Sequence, residues 1–117
     1  MSTRAKSREA AATALQRTAP VFAALGDATR LRLVALLCAG GAMSIAQLTI
    51  GTDISRQAIT KHLQVLADAG LVRDAKSGRE RLWELEPSRI DEARRSLDAI
   101  AAQWDAALMR LKGFVEG

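Results

Sequence analysis

The sequence predicts a mainly α fold in which a helix-turn-helix is followed by a two-stranded β-hairpin wing and a long C-terminal helix. Three observations lead there. Residues Ser44–Gly70, SIAQLTIGTDISRQAITKHLQVLADAG, hold two short segments of helical apolar spacing joined by a polar turn. Over Leu71–Leu85 the spacing changes from about 3.6 to about 2. From Arg89 onward, apolar residues recur every seven positions.

Composition narrows the class of protein. A chain of 117 residues makes one domain. Hydrophobic residues are 49% of it but aromatics only 3%, so the core is built from Leu, Ile, Val and Ala, which favours helices. The net charge of +4 points to a polyanionic partner, and to nucleic acid before a membrane surface, since no basic amphipathic membrane helix is found. No apolar run reaches bilayer length, and MSTRAKSREA lacks the apolar core of a secretion signal. A cytoplasmic protein with no membrane contact is therefore expected. The single cysteine excludes an intramolecular disulfide and any multi-cysteine metal cluster within one chain.

Residues 1–10 carry Arg4, Lys6 and Arg8 among small residues and are expected to form a flexible basic tail, either touching phosphates nonspecifically or simply solvated. From about Arg8 to Leu25 the alanine content favours helix, with an interruption or a new turn expected at Pro20 and an end at Gly26. Asp27 is placed to cap the next helix, Ala28–Cys38. Leu31, Val34, Ala35 and Cys38 lie on one side of it, and Leu33, Leu36 and Leu37 widen the stripe, so burial over most of the circumference is expected. Arg30 and Arg32 are left exposed, and Gly40–Gly41 ends the helix.

Ser44 and Gln47 make a capping box for the first helix of the pair, and Gly51 stops it. Thr52, Asp53 and Ser55 offer cap oxygens for the second helix, where Ile59, Leu63 and Leu66 fall on a single face. Its opposite face presents Ser55, Arg56, Gln57, Thr60, Lys61 and Gln64. None of these is acidic, and all can bond phosphates or base edges in a major groove. Gly70 is suited to a left-handed C-terminal residue.

Leu71–Ala75 and Arg79–Leu85 read as strands joined by Lys76–Ser77–Gly78, with Trp83 and Leu85 packing on the helices. Lys76 and Arg79 at the tip, with Arg73 and Arg81 near the base, make a basic wing able to reach the backbone or the adjacent minor groove. The same charges would also keep an exposed strand edge from pairing.

Pro87 breaks the hairpin, and Ser88 with Asp91 is expected to form a second capping box before a helix of about Arg89–Val115. Ile90, Leu97, Trp104 and Leu111 repeat every seven residues; so do Ala93, Ile100, Ala107 and Phe114 in the intervening register, with Leu108 thickening one flank. A helix of that length spans about 40 Å. The small domain cannot cover it, so a second copy of the chain is the expected partner, through Ile90, Leu97, Ile100, Trp104, Leu108 and Leu111. The chain thus divides into the tail 1–10, a winged helix-turn-helix over 11–87 and a dimerisation helix over 88–117 of the same domain.

FAALGDATRLRLVALL, SRQAITKHLQVLADAGLV and SGRERLWEL together resemble, in order and spacing, the ArsR-type (ArsR/SmtB) winged helix-turn-helix repressors of bacteria, over about Val21–Leu85. The later Trp104, Leu108 and Leu111 look like one non-metal-sensing branch. The resemblance implies a homodimer joined by its terminal helices, whose two recognition helices enter successive major grooves of a partly palindromic operator. Metal sensors of the family often carry paired cysteines on the helix before the recognition helix, or His and acidic ligands on the last helix. Here Met43–Thr49 has no cysteine and no histidine follows Arg89. Ala28 stands where the family usually has proline.

Cys38 reads as a small buried hydrophobe, the sharper alternative being a redox-sensitive thiol. His62 lacks companions for a metal site and is expected at the edge of the groove-facing surface, hydrogen-bonding phosphate or backbone. Trp83 and Trp104 read as core or interface anchors. There is no phosphate-binding Gly-rich loop and no nucleophile-elbow sequence, so no catalysis, metal or cofactor is expected. The resulting expectation is a dimeric, sequence-specific transcriptional regulator of double-stranded DNA. Gln57, Thr60, Lys61 and Gln64 meet base edges; Ser55, Arg56, Lys76 and Arg79 fix the phosphate register. A metal- or redox-responsive repressor of the same fold and a winged-helix protein-interaction module are the alternatives.

Overall fold

The structure, a computed structural model, describes residues 3–116. Its elements are α1 (Thr3–Leu25), α2 (Ala28–Gly40), α3 (Ile45–Ile50), α4 (Arg56–Asp68), β1 (Val72–Ser77), β2 (Glu80–Leu85) and α5 (Pro87–Glu116). The winged helix-turn-helix class read from the sequence is the one observed.

The core forms where one apolar face of each helix converges. Leu33 and Leu37 of α2, Leu48 of α3, and Ile59, Leu63 and Leu66 of α4 are buried, joined by Val21 of α1 and by Leu71, Val72 and Trp83 around the wing. α2 meets this core with Leu33, Val34 and Leu37, and with Leu36 partly buried beside them; Leu31, Ala35 and Cys38 are exposed. The broad stripe expected to be buried is therefore half covered, and Cys38 is not the buried hydrophobe its spacing suggested. A wheel of apolar residues shows an arc without showing which part of it a core of this size can reach.

α1 begins at Thr3, inside the stretch expected to be a tail, and runs through Pro20 without a break. A proline removes one backbone donor and crowds the carbonyl four residues before it. Here Pro20 and Gln16, the residue that carries that carbonyl, are both exposed, while Thr18 and Val21 on either side of Pro20 are held by packing. α5 lies along α1, with Ala93 and Ser96 buried in the contact.

Most helix ends follow the sequence. Asp27 accepts from Arg30 N–H at 3.0 Å, Ser44 and Gln47 form the reciprocal capping box, and Gly70 takes φ +79° beyond α4. Three ends differ. Thr52 is buried and donates to the Leu48 carbonyl instead of capping α4, a task that falls to Ser55. α5 starts at Pro87 with Glu86 before it, whose carboxylate accepts from both the N–H and the hydroxyl of Ser88; the expected Ser88–Asp91 box does not form because Asp91 is drawn to Arg94 and Arg95. The hairpin turns at Gly78–Arg79, with Ser77 paired to Glu80 and φ +63° at Gly78 alone, the pattern of a type II′ turn.

Leu63 has no exposed surface, whereas Leu31 is 53% exposed. Leu63→Ala is expected to lower unfolding free energy by about 2–5 kcal/mol in urea denaturation. Leu31→Ala is expected to stay within about 1 kcal/mol.

Candidate nucleic-acid interface

α4 is held from behind and open in front. With Ile59, Leu63 and Leu66 in the core, the opposite face carries Arg56, Gln57, Thr60, Lys61 and Gln64, all exposed. Ser55 sits at the N-cap, its Oγ accepting from Ala58 N–H at 3.1 Å. The sequence-derived set is thus brought together on one surface.

Two of its members have prior hydrogen bonds. Thr60 Oγ1 donates to the Arg56 carbonyl at 2.8 Å, which leaves its oxygen as an acceptor. Gln64 Nε2 donates to Asp68 Oδ1 at 2.9 Å, which steadies the amide and leaves Oε1 free. Asp68 closes the face with the one acid it contains, almost two turns beyond Lys61.

The wing separates its cations into two groups. Arg73 bonds Glu84 Oε1 at 2.9 Å and also pairs with Glu86, and these contacts raise its pKa above the ordinary guanidinium value. Arg81 meets Asp74 at 3.0 Å and lies 5.0 Å over the Trp83 ring. Both stiffen the hairpin. Lys76 and Arg79 are exposed and make no ion pair among the described residues, so their charge is directed to whatever lies beyond the tip.

Several positioning contacts escaped sequence reasoning. Arg32 donates to the Gly51 carbonyl at 2.9 Å, tying α2 to the turn between α3 and α4. Arg30 Nε donates to the Ala24 carbonyl at 2.6 Å, closing the C-terminal end of α1. Met43 and Trp83 exchange two backbone bonds, Met43 N–H to the Trp83 carbonyl at 2.9 Å and Trp83 N–H to the Met43 carbonyl at 2.7 Å, which fastens the wing to the chain just before α3. The only signal for these was a basic residue near a helix end and an extended residue ahead of Ser44.

His62 is half-buried with Nδ1 4.0 Å from Asp27 Oδ2, on the side of α4 that meets the start of α2. It is not at the groove-facing edge where it was expected. Its place in the helix, three residues after Ile59 and four before Leu66, puts it on the flank of the core row and away from the polar face.

On α5, Leu97, Ile100, Trp104, Leu108 and Leu111 are exposed by 44–66%. Met109, Phe114 and Val115 extend the uncovered apolar surface. Ile90 differs from the rest of its proposed set, since it packs against the chain's own core. Among the described residues no cluster of three His, Cys, Asp or Glu could hold a metal, and no helix is long and apolar enough to cross a membrane.

The Asp27 carboxyl is held below the ordinary carboxylate range, chiefly by the Arg30 N–H, with the Arg30 charge and His62 assisting against burial. A lowered folded-state value favours the ionised carboxylate in the fold. Its stabilisation is complete above the unfolded value, about pH 4, and is lost as pH falls through the lowered one. Thermal unfolding of the wild type should therefore lose midpoint below about pH 4 more steeply than Asp27→Asn does.

A family model described as a helix-turn-helix domain matches residues 25–75. The HTH-type transcriptional regulator Rv2034 of Mycobacterium tuberculosis is 36% identical over 85 residues, 73% of this chain and 76% of that protein. Among solved structures, an ArsR-like transcriptional regulator from Rhodococcus sp. RHA1 aligns with a TM-score of 0.73 at 37% identity, over 85% of this chain and 92% of that one. The homodimeric winged helix-turn-helix DNA-binding domain Mb0332 of Mycobacterium bovis, solved by NMR, aligns at 0.59 and 27% identity, over 79% and 83% of the two chains.

Proposed function

The chain belongs to the ArsR-type family of helix-turn-helix transcriptional regulators, and from that premise we propose that it works as a homodimeric repressor reading a partly palindromic operator. That it is a DNA-binding transcriptional regulator follows from its relatives and fold; the finer roles are the proposal. The observation behind them is the exposed, cationic and amide-bearing face of α4, clamped from behind by Ile59, Leu63 and Leu66.

In this reading Gln57, Thr60, Lys61 and Gln64 meet base edges, because their free donors and acceptors match major-groove patterns. Ser55 and Arg56 at the N-terminal end of α4, with Lys76 and Arg79 at the wing tip, bond phosphates and fix register. The stripe Leu97, Ile100, Trp104, Leu108 and Leu111 joins two copies, with Ile90 at the margin of the contact. Support comes from its exposure and from the relative described as homodimeric. In domain terms, residues 11–87 read DNA and 88–117 dimerise. Two-fold symmetry puts half-sites about 10–10.5 bp apart. A dimer lying across two successive grooves denies that stretch of promoter to polymerase, which makes repression the outcome. The signal is not a metal of the family's usual kind, since Met43–Thr49 lacks cysteine and the chain after Arg89 lacks histidine. The protein acts in the cytoplasm, where its DNA is.

Footprinting on the gene's own upstream region tests the reading, with protection of two half-sites expected. Lys61→Ala or Gln64→Ala should cost about 1–3 kcal/mol on the operator and relax preference at one or two base positions. Arg79→Ala should weaken all duplexes alike and reduce the salt slope by about 1. Loss of operator discrimination with an unchanged slope would show that Arg79 reads bases instead. Trp104→Glu puts a charge into the seam and should yield monomers in sedimentation, with operator affinity falling accordingly.

A further inference from the structure

On the polar face of α4 two side chains have already given a proton to a neighbour, and chemistry fixes the direction of each bond. Thr60 Oγ1 lies 2.8 Å from the Arg56 carbonyl. A carbonyl has no proton to give, so the Thr60 hydroxyl donates there and keeps only acceptor capacity. Gln64 Nε2 lies 2.9 Å from Asp68 Oδ1. An ionised carboxylate only accepts, so the amide nitrogen must face Asp68 and Oε1 is turned away from it.

Both side chains are exposed, and both therefore offer an oxygen acceptor to whatever docks on α4. They stand four residues apart on one side of the helix, about 6 Å along its axis. Their neighbours on the same face are not constrained in this way. Gln57 makes no side-chain hydrogen bond among the described residues and can present either end of its amide, while Lys61 is a donor only.

In a major groove the donors are the adenine N6 and cytosine N4 amino groups, whereas guanine O6 and thymine O4 accept. An oxygen held outward is satisfied by an amino group and repelled by a keto oxygen. Gln64 keeps a second Nε2 proton on the Oε1 side of its amide. An amide that accepts from N6 and donates to N7 matches adenine.

We propose that Thr60 and Gln64 read base amino groups, with adenine the base under Gln64, and that Asp68 is the positioning residue that makes this choice by holding the Gln64 amide in one orientation. The inference rests on the DNA reading above and adds the chemical identity of what the site reads. Without Asp68 the amide turns over freely, and Nε2 can equally meet a keto oxygen.

The Asp68 lock is tested in the full chain without DNA, by NMR of the Gln64 side-chain amide. Asp68→Ala is expected to move one of the two Nε2 proton signals upfield and leave the other nearly in place; unchanged signals would overturn the proposal. The base preference is tested by fluorescence anisotropy on the footprinted operator, where Gln64→Ala marks the base pair at which discrimination disappears. Replacing the adenine of that pair by purine, which lacks the amino group, should weaken wild-type binding about tenfold and leave Gln64→Ala unaffected. A thymine analogue lacking O4 in the opposite strand should cost the wild type little; each analogue removes the same Watson–Crick hydrogen bond, so their difference isolates the groove contact. Asp68→Ala should reduce the purine penalty about twofold, the bias that one such pair supplies on a helix, whereas Asp68→Asn, which loses the charge and keeps an oxygen acceptor, should retain it. At the pair under Thr60, Thr60→Ser should keep the dependence on an amino group and Thr60→Val should abolish it. A pair other than A·T under Gln64, a penalty that falls on the O4 deletion instead, or a full purine penalty in Asp68→Ala would each overturn the proposal. A chain that shifts no operator at all would sink the DNA reading and the base preference with it, while the amide signals still report on the lock.

Discussion

The row Ile59, Leu63 and Leu66 governs the geometry of this molecule. Each is fully buried, and each contributes about 1.5–3 kcal/mol relative to exposure. That burial fixes the rotation of α4 about its own axis, and rotation decides which side chains face outward. A register shift of one residue would put Thr60, Gln64 and Ala67 on the core row and move Leu63 off it. The polar face is therefore a by-product of apolar packing, and it needs no contact of its own to be held in place.

Around that row, the structure sorts its cations by what they already touch. Arg30 and Arg32 bond backbone carbonyls and join helices to turns. Arg73 and Arg81 bond acids across the hairpin. Arg56, Lys61, Lys76 and Arg79 have no ion pair among the described residues and lie on the exposed faces of α4 and the wing. A net charge of +4 says little by itself; its distribution says more, because only unpaired and exposed cations release counterions from a nucleic acid.

Much of this was legible in the sequence. The α4 row, the Ser44 box, the Asp27 cap, the hairpin and the seven-residue repeat of α5 are local patterns, each decided within a few residues. What the sequence hid depended on where another element passes. Pro20 stays inside α1 because α5 and the core hold the helix on both sides of it. Cys38 and Leu31 are exposed because α2 offers more apolar surface than the core can cover. His62 faces Asp27 because α2 begins beside α4. Of the candidate interface, the α4 and wing-tip residues are exposed as read; Ile90, and Ala93 of the same repeat, lie in the chain's own core, which the repeat could not reveal.

The two backbone bonds between Met43 and Trp83 constrain the order in which the chain can fold. They join the segment leading into α3 to the far strand of the wing, so the entry to α3 gains these bonds only when that strand is in place. Such a long-range closure lengthens the search for the native state relative to a helical bundle of the same size. For a chain leaving the ribosome, this closure can form only after the hairpin has been synthesised.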